Sequence, residues 1–145
     1  MNYLKHLQGA SKLLTVVFTL LCVCVPFSAH AGEEDLFGIW KTERNKKGSY
    51  LYVDIQKCED KICGVIVDAF DKNDQQVTDY PHLGKTMLWN MRPKGAPNRW
   101  GKGGIWAPDT DKKYKSGMVL NGDKLKVSGC IGPICRKQIW VPVSP

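Results

Sequence analysis

Four cysteines in two similar pairs are the residues with the clearest chemical potential in this sequence. Cys58 and Cys63 enclose Glu-Asp-Lys-Ile, and Cys130 and Cys135 enclose Ile-Gly-Pro-Ile. Such thiols form disulfides in an oxidising compartment or bind zinc as thiolates. Zinc sites favour about two to four residues between paired cysteines, and His82 is the one histidine outside residues 1–31 that could assist. We therefore expect disulfides rather than a metal site.

The amino-terminal residues predict export. Lys5 and Lys12 precede an uncharged apolar run over 13–27, which an Ala-x-Ala site ending at Ala31 follows. This order is typical of a secretory signal peptide, and the run is shorter than the ~20 residues of a membrane-spanning helix. We predict cleavage after Ala31, one domain over 32–145, no transmembrane segment in that domain, and a periplasmic or secreted location.

Catalytic patterns are sparse. Asp79 precedes His82 by three residues, but no serine lies in the Gly-x-Ser-x-Gly pattern of a hydrolase. The acidic stretch from Asp71 lacks the central glycine and the final glutamate of a calcium loop. We expect no catalytic residue, no metal ion and no cofactor, and an enzyme using His82 and Asp79 is the weakest of the hypotheses.

Eight stretches rich in β-branched and aromatic residues lie between turn signals, and no stretch has a convincing helical pattern. They are Leu36–Glu43, Ser49–Lys57, Cys63–Phe70, Lys85–Met91, Trp100–Trp106, Tyr114–Leu120, Lys124–Cys130 and Cys135–Val143. Within the second stretch, Leu51, Val53 and Ile55 share one face. Short strands joined by frequent turns predict an all-β fold, and we expect a small up-and-down antiparallel barrel, because closure removes exposed edges.

This strand order bears on the cysteine pairing. In an eight-stranded meander, the turn after the second strand and the turn after the seventh lie at opposite ends. Cross-pairing would close a longer loop and stabilise by about 4 kcal/mol, against about 2 kcal/mol for a local loop, but the geometry opposes it. We predict the hairpin disulfides Cys58–Cys63 and Cys130–Cys135.

Aromatic side chains on the predicted strands are the candidate ligand contacts. An eight-stranded barrel can hold one small ligand, and alternating strand positions can line its pocket. The predicted ligand-binding residues are Tyr50, Tyr52, Trp89, Trp106 and Tyr114. Strand parity places turns 44–48, 70–84, 107–113 and 130–135 at the open end, with 71–84 as a lid. The alternative is that these rings only fill the barrel.

Several short motifs follow one another in an informative order. Gly38-Ile39-Trp40 opens the first strand, Ile62-Cys63-Gly64 begins the third, and Gly129-Cys130-Ile131-Gly132 precedes Cys135-Arg136 and Trp140. With these motifs the chain resembles the bacterial exported family called domain of unknown function 2147. The resemblance implies a calycin-like (lipocalin-like) barrel. Pro142 stands where family members tend to have arginine, so we expect Trp40 to pack as core rather than stack on a basic side chain.

The leading functional hypothesis is a non-catalytic exported barrel that binds a small hydrophobic or amphipathic ligand. The alternative is an envelope interaction module with a filled barrel that contacts protein or an anionic polymer. Its contact surface would be the stretch 92–102, which mixes basic and aromatic residues. Single-stranded nucleic acid binders use similar mixtures, but an exported protein rarely meets nucleic acid, so we expect no such partner.

Overall fold

Eight antiparallel strands close into a barrel in which each strand pairs with its neighbours in the sequence. The computed structural model describes residues 32–143, so the predicted signal peptide lies outside the described residues. The strands are β1 (Gly38–Lys41), β2 (Tyr50–Cys58), β3 (Lys61–Phe70), β4 (Thr86–Pro93), β5 (Arg99–Ala107), β6 (Lys112–Asn121), β7 (Lys124–Ile131) and β8 (Ile134–Pro142). Pairing of β1 with β8 closes the barrel. The predicted all-β, up-and-down, eight-stranded architecture is confirmed.

The start of the first strand was predicted two residues too early. Residues Glu34–Leu36 form a 3₁₀ turn, and β1 begins at Gly38. The turn carries the fully buried Leu36 side chain into the core, and its carbonyl oxygen accepts a 2.8 Å hydrogen bond from Trp40 Nε1. Trp40 is itself buried in the core, as expected. In residues 32–143, no helix has the length and apolar character needed to cross a bilayer.

Both predicted disulfides are confirmed. Cys58–Cys63 joins the ends of β2 and β3, and Cys130–Cys135 joins directly opposed residues of β7 and β8. Since the strands alternate in direction, the first bridge lies at one end of the barrel and the second at the other. The β7–β8 end is also the end of the β1–β2, β3–β4 and β5–β6 loops, and it is called the open end below.

The opposite end of the barrel is filled. Leu125 on β7 pairs with Leu120 on β6 and with Trp140 on β8, and all three are essentially inaccessible to solvent. Leu36 and Met91 belong to the same buried cluster. The core therefore occupies this half of the barrel and forms a floor beneath the open end.

A bulge in β3 fixes which side chains face inward near the open end. Tyr52 pairs with Asp68 whereas Val53 pairs with Ile66, so Val67 is an extra residue on β3. Ile66 and Ala69 are consequently both buried although they are three residues apart. The bulge preserves the inward direction of Leu51, Val53 and Ile55 on β2, as the alternation predicted.

Candidate ligand-binding site

A cavity with two adjoining lobes lies at the open end. The larger lobe has a volume of about 430 Å³ and the smaller about 320 Å³. Their common wall consists of Asn45, Lys47, Met87, Ala107, Asp109 and Gln138. Both volumes lie near the lower end of the roughly 300–1,000 Å³ range of small-molecule sites. The open half of this barrel therefore contains unfilled space, unlike the half below it.

The floor of the larger lobe is apolar. Met87, Ile105 and Val127 are buried side chains that line it. Gly129 adds space beside them, because a Cβ there would lie 3.3 Å from Ile105 Cγ2 and 3.4 Å from Tyr114 Cβ. Any side chain at this position would begin to fill the lobe.

The rims of the two lobes differ in charge. Lys46, Lys47 and Arg136 line the larger lobe together with one carboxylate, that of Asp109. Glu43 and Asp71 line the smaller lobe, along with Asp109 and Lys47. Because these groups lie at an exposed rim, water weakens their electrostatic interactions with a ligand. The excess of positive charge still favours an anionic group in the larger lobe.

Two polar contacts organise the wall between the lobes. Asn45 Nδ2 donates to Asp109 Oδ2 over 3.0 Å, which ties the β1–β2 loop to the β5–β6 turn. The Asn45 side-chain oxygen also accepts from the backbone N–H groups of Lys47 and Ser49, so the loop is held in a turn. Gln138 lines both lobes, and its carboxamide oxygen accepts from Trp140 Nε1 over 2.9 Å.

The β3–β4 loop, predicted as a lid, forms part of the smaller lobe. Asp71, Val77 and Tyr80 line that lobe, and no residue of 71–85 lines the larger one. The chain turns directly after β3 and runs back beside it, since Gln76 forms an antiparallel bridge with Phe70 and Val77 N–H donates to the Ala69 carbonyl over 2.8 Å. In the described structure this loop consequently does not cover the larger lobe.

The predicted ligand-binding aromatics separate into three groups. Tyr114 and Trp106 line the larger lobe, and Tyr50 lines the smaller one. Tyr52 and Trp89 line neither lobe. Trp89 lies on the outer wall against Gly104, where a Cβ would overlap the indole ring.

Tyr50 belongs mainly to a network that joins two open-end loops. Its ring stacks on Phe70 with a centroid separation of 4.9 Å, and Lys41 Nζ lies 4.0 Å from the ring centroid. Arg44 contacts the Asp74 carboxylate at 2.5 Å. Burial, reinforced by a hydrogen bond to Asp74, raises the pKa of Tyr50 to about 12. Hydrogen bonds from Tyr50 and then Arg44 lower the pKa of Asp74.

This shift predicts alkaline instability. The pKa of Tyr50 in the folded state exceeds the value of about 10 for an unfolded tyrosine. The protonated Tyr50 side chain therefore contributes its full stabilisation of the folded state below pH 10. This stabilisation is lost as the pH rises through 12, because the unfolded chain releases the proton more readily. Absorbance at 295 nm should show a tyrosine that ionises near pH 12. Tyr50→Phe should remove that step and flatten the fall in unfolding free energy between pH 10 and 12; an unchanged titration would contradict the network.

His82 and Asp79 are not brought together over the cavity. His82 Nδ1 lies 3.0 Å from Lys85 Nζ, and the His82 ring contacts Trp106 edge-on with a centroid separation of 4.9 Å. Neither His82 nor Asp79 lines a lobe. Within residues 32–143, no group of three or more histidine, cysteine, aspartate or glutamate side chains is placed to hold a metal ion.

Several lining residues were not singled out from the sequence. The cationic rim combines Lys46 and Lys47 of the β1–β2 loop with Arg136 of β8, and these are distant in the sequence. Val127 and Ile105 could have been found from strand alternation, since they share the inward face with core residues of their own strands. No local pattern marked the rim lysines or Gln138.

Comparison with known proteins agrees with this architecture. No curated protein sequence matches the chain significantly. A solved structure, protein HP1028 from Helicobacter pylori, which belongs to the lipocalin family, matches with a TM-score of 0.57 and 16% identity. The match covers 75% of this chain and 83% of that one. At this identity the likeness concerns the fold, and it confirms a lipocalin-like barrel.

A family model described as "Uncharacterized protein conserved in bacteria (DUF2147)" matches residues 38–141. The matched span begins at the first residue of β1 and ends one residue before the end of β8. It confirms the resemblance seen in the cysteine and tryptophan motifs. With every strand of the barrel covered by the match, the chain belongs to this bacterial family.

Proposed function

We propose that this protein is a non-catalytic binding protein for a small amphipathic molecule with an anionic head group. The observation that carries the proposal is an apolar floor below a cationic rim in the larger lobe. The apolar part of the ligand would contact Met87, Ile105 and Val127. The head group would lie near Lys46, Lys47 and Arg136.

Size and shape support a small ligand. An eight-stranded barrel can enclose one small molecule, and here only the open half is unfilled. A lobe of about 430 Å³ suits a short chain or a single ring system rather than a long lipid. A lipocalin-like fold is also consistent with small-ligand binding.

The geometry supports binding more than catalysis. A general base requires partners placed around the reacting atoms, whereas the His82 side chain contacts Lys85 and Trp106 and itself lines neither lobe. Two hairpin disulfides favour an oxidising compartment. We therefore infer that the protein acts outside the cytoplasm, in the periplasm or after secretion.

The alternative interaction module has less support. It assumed a filled barrel, but the open half contains a cavity. Its proposed contact surface, the basic stretch 92–102, spans the β4–β5 turn at the filled end, away from the cavity mouth. The two hypotheses thus place function at opposite ends of the barrel.

Arg136→Gln tests the head-group assignment. Dodecanoate and dodecanol have the same chain, and only dodecanoate is anionic at neutral pH. We expect isothermal titration calorimetry to show tighter binding of dodecanoate to the parent protein and a roughly five- to tenfold loss of that preference in Arg136→Gln, since a charge-assisted contact at an exposed rim is worth about 1 kcal/mol.

Arg99→Gln is the matched control, because Arg99 is an exposed arginine at the filled end. It should bind dodecanoate like the parent protein. Equal binding of acid and alcohol would contradict the anionic head group. Failure of every amphiphile to bind would contradict the proposed function itself.

A further inference from the structure

Two isoleucines at the tip of the β7–β8 hairpin are the most exposed large apolar residues of the described chain. Ile131 is 66% exposed and Ile134 is 78% exposed, whereas the others lie between 36% and 42%. They face each other as a pair directly beyond the Cys130–Cys135 disulfide. The bridge holds the short hairpin, so both side chains are presented to solvent on a constrained tip.

The tip projects beside the cavity mouth. Ile131 and Ile134 continue the inward-facing row that contains Gly129 and Arg136, two pairs further along the hairpin. Gly129 and Arg136 both line the larger lobe. The apolar tip and the ligand entrance are therefore neighbours at the same end of the barrel.

The strands around this tip are strongly basic. Residues 112–143 contain seven lysines and arginines but one acidic residue, Asp123, which lies in the β6–β7 turn at the filled end. Asp109 and Asp111 of the β5–β6 turn are the carboxylates that precede this basic segment at the open end. The exposed cations nearest the tip are Lys112, Lys113, Lys115, Arg136 and Lys137. Within residues 32–143, none of these five forms a salt bridge.

We propose that this hairpin docks the open end of the barrel on an anionic phospholipid bilayer. Ile131 and Ile134 would enter the head-group boundary, and the surrounding lysines and arginines would face lipid phosphates. Apolar burial combined with attraction to anionic lipid is the usual basis of peripheral membrane binding. The orientation places the cavity mouth toward the membrane, so an amphipathic ligand could exchange without crossing bulk water.

Charge distinguishes this partner from a second copy of the chain. A symmetric dimer through the tip would bring the basic groups of one protomer against those of the other, which is unfavourable. Two side chains also bury far less surface than the roughly 1,000 Å² of a stable protein interface. An anionic bilayer surface attracts these cations instead of repelling them. Binding to it requires only shallow insertion of the two isoleucine side chains.

Vesicle flotation tests the proposal. The protein should float with vesicles of phosphatidylcholine mixed with phosphatidylglycerol, remain largely free with phosphatidylcholine alone, and dissociate as salt is raised. The double variant Ile131→Ser and Ile134→Ser should lower the partition coefficient about tenfold. The control double variant Ile39→Ser and Val141→Ser changes exposed apolar residues on the outer wall of β1 and β8 and should float like the parent protein.

A second pair of variants tests the charge contribution. Lys115→Gln combined with Lys137→Gln should reduce partitioning roughly tenfold or more. Lys57→Gln combined with Lys124→Gln removes two exposed lysines at the filled end and should have little effect. Equal losses in the two double variants would show binding through overall charge and would overturn docking through the hairpin.

Docking and ligand binding can fail separately. Absence of flotation by a parent protein that still binds dodecanoate would overturn the docking proposal alone. Flotation without any amphiphile binding would leave docking supported and contradict the proposed ligand. Analytical sedimentation supplies one more outcome. If the parent protein is a dimer and does not float, and the Ile131→Ser and Ile134→Ser double variant is a monomer, the tip binds a second copy of the chain and bilayer docking is overturned.

Discussion

Ala107→Trp is expected to lower amphiphile affinity at least about 100-fold while the barrel remains folded. Ala107 lies on the wall common to both lobes, near the end of β5, so an indole there would occupy space in each. A ligand could then enter only by displacing a packed ring. Because Ala107 is half-buried and borders open space, we expect the free energy of unfolding to change by less than about 1 kcal/mol. Titration calorimetry with dodecanoate measures the first effect and urea denaturation the second.

Ala96→Trp is the matched control for this substitution. Ala96 is exposed in the β4–β5 loop at the filled end, so the same change in residue type should leave affinity intact. Unchanged dodecanoate binding by a folded Ala107→Trp protein would place the ligand outside the cavity. Loss of binding in both variants would point to a general effect of the added indole.

Trp140→Ala is expected to cost about 3–5 kcal/mol of unfolding free energy. Trp140 is fully buried, it faces Leu125 across β7 and β8, and its indole N–H donates to Gln138. Truncation would leave a void below the cavity floor and deprive the Gln138 carboxamide oxygen of its donor. Urea denaturation followed by far-ultraviolet circular dichroism measures the loss without relying on tryptophan fluorescence.

Trp89→Ala supplies the comparison for Trp140→Ala. Trp89 is half-buried on the outer wall, so its removal should cost about 1–2 kcal/mol. Trp140→Phe keeps most of the buried ring and should be intermediate, which keeps the test informative if the alanine variant does not fold. A larger loss for Trp89→Ala than for Trp140→Phe would contradict the assignment of inner and outer faces.

The amino-acid sequence alone was sufficient for the strand order and the disulfides. Turn signals such as Asn121-Gly122 are local, and a two-residue hairpin follows from them without tertiary information. Cys58–Cys63 and Cys130–Cys135 each cross one such hairpin, so their pairing also depended on neighbouring strands only. The exception was the first strand, where the buried contacts of Leu36 favoured a 3₁₀ turn over an extended start.

The faces of the aromatic residues were harder to predict. Leu51, Val53 and Ile55 were correctly grouped on one face, and alternation then requires Tyr50 and Tyr52 to point the other way. Ligand contact by both tyrosines stays a prediction, because aromatic character alone does not say which face is inside. Tyr50 lines the smaller lobe together with Phe70, on which its ring stacks.

The eight strands, their order and the two hairpin disulfides follow from sequence patterns, because these features depend on alternation and on turns between adjacent segments. The division of the barrel into a filled half and an open half became visible in the folded arrangement alone. That arrangement also brought Lys46 and Lys47 of one loop to the same rim as Arg136 of a distant strand. Barrel closure explains this difference: pairing of β1 with β8 joins the first and last strands, and the space inside depends on every inward side chain at once.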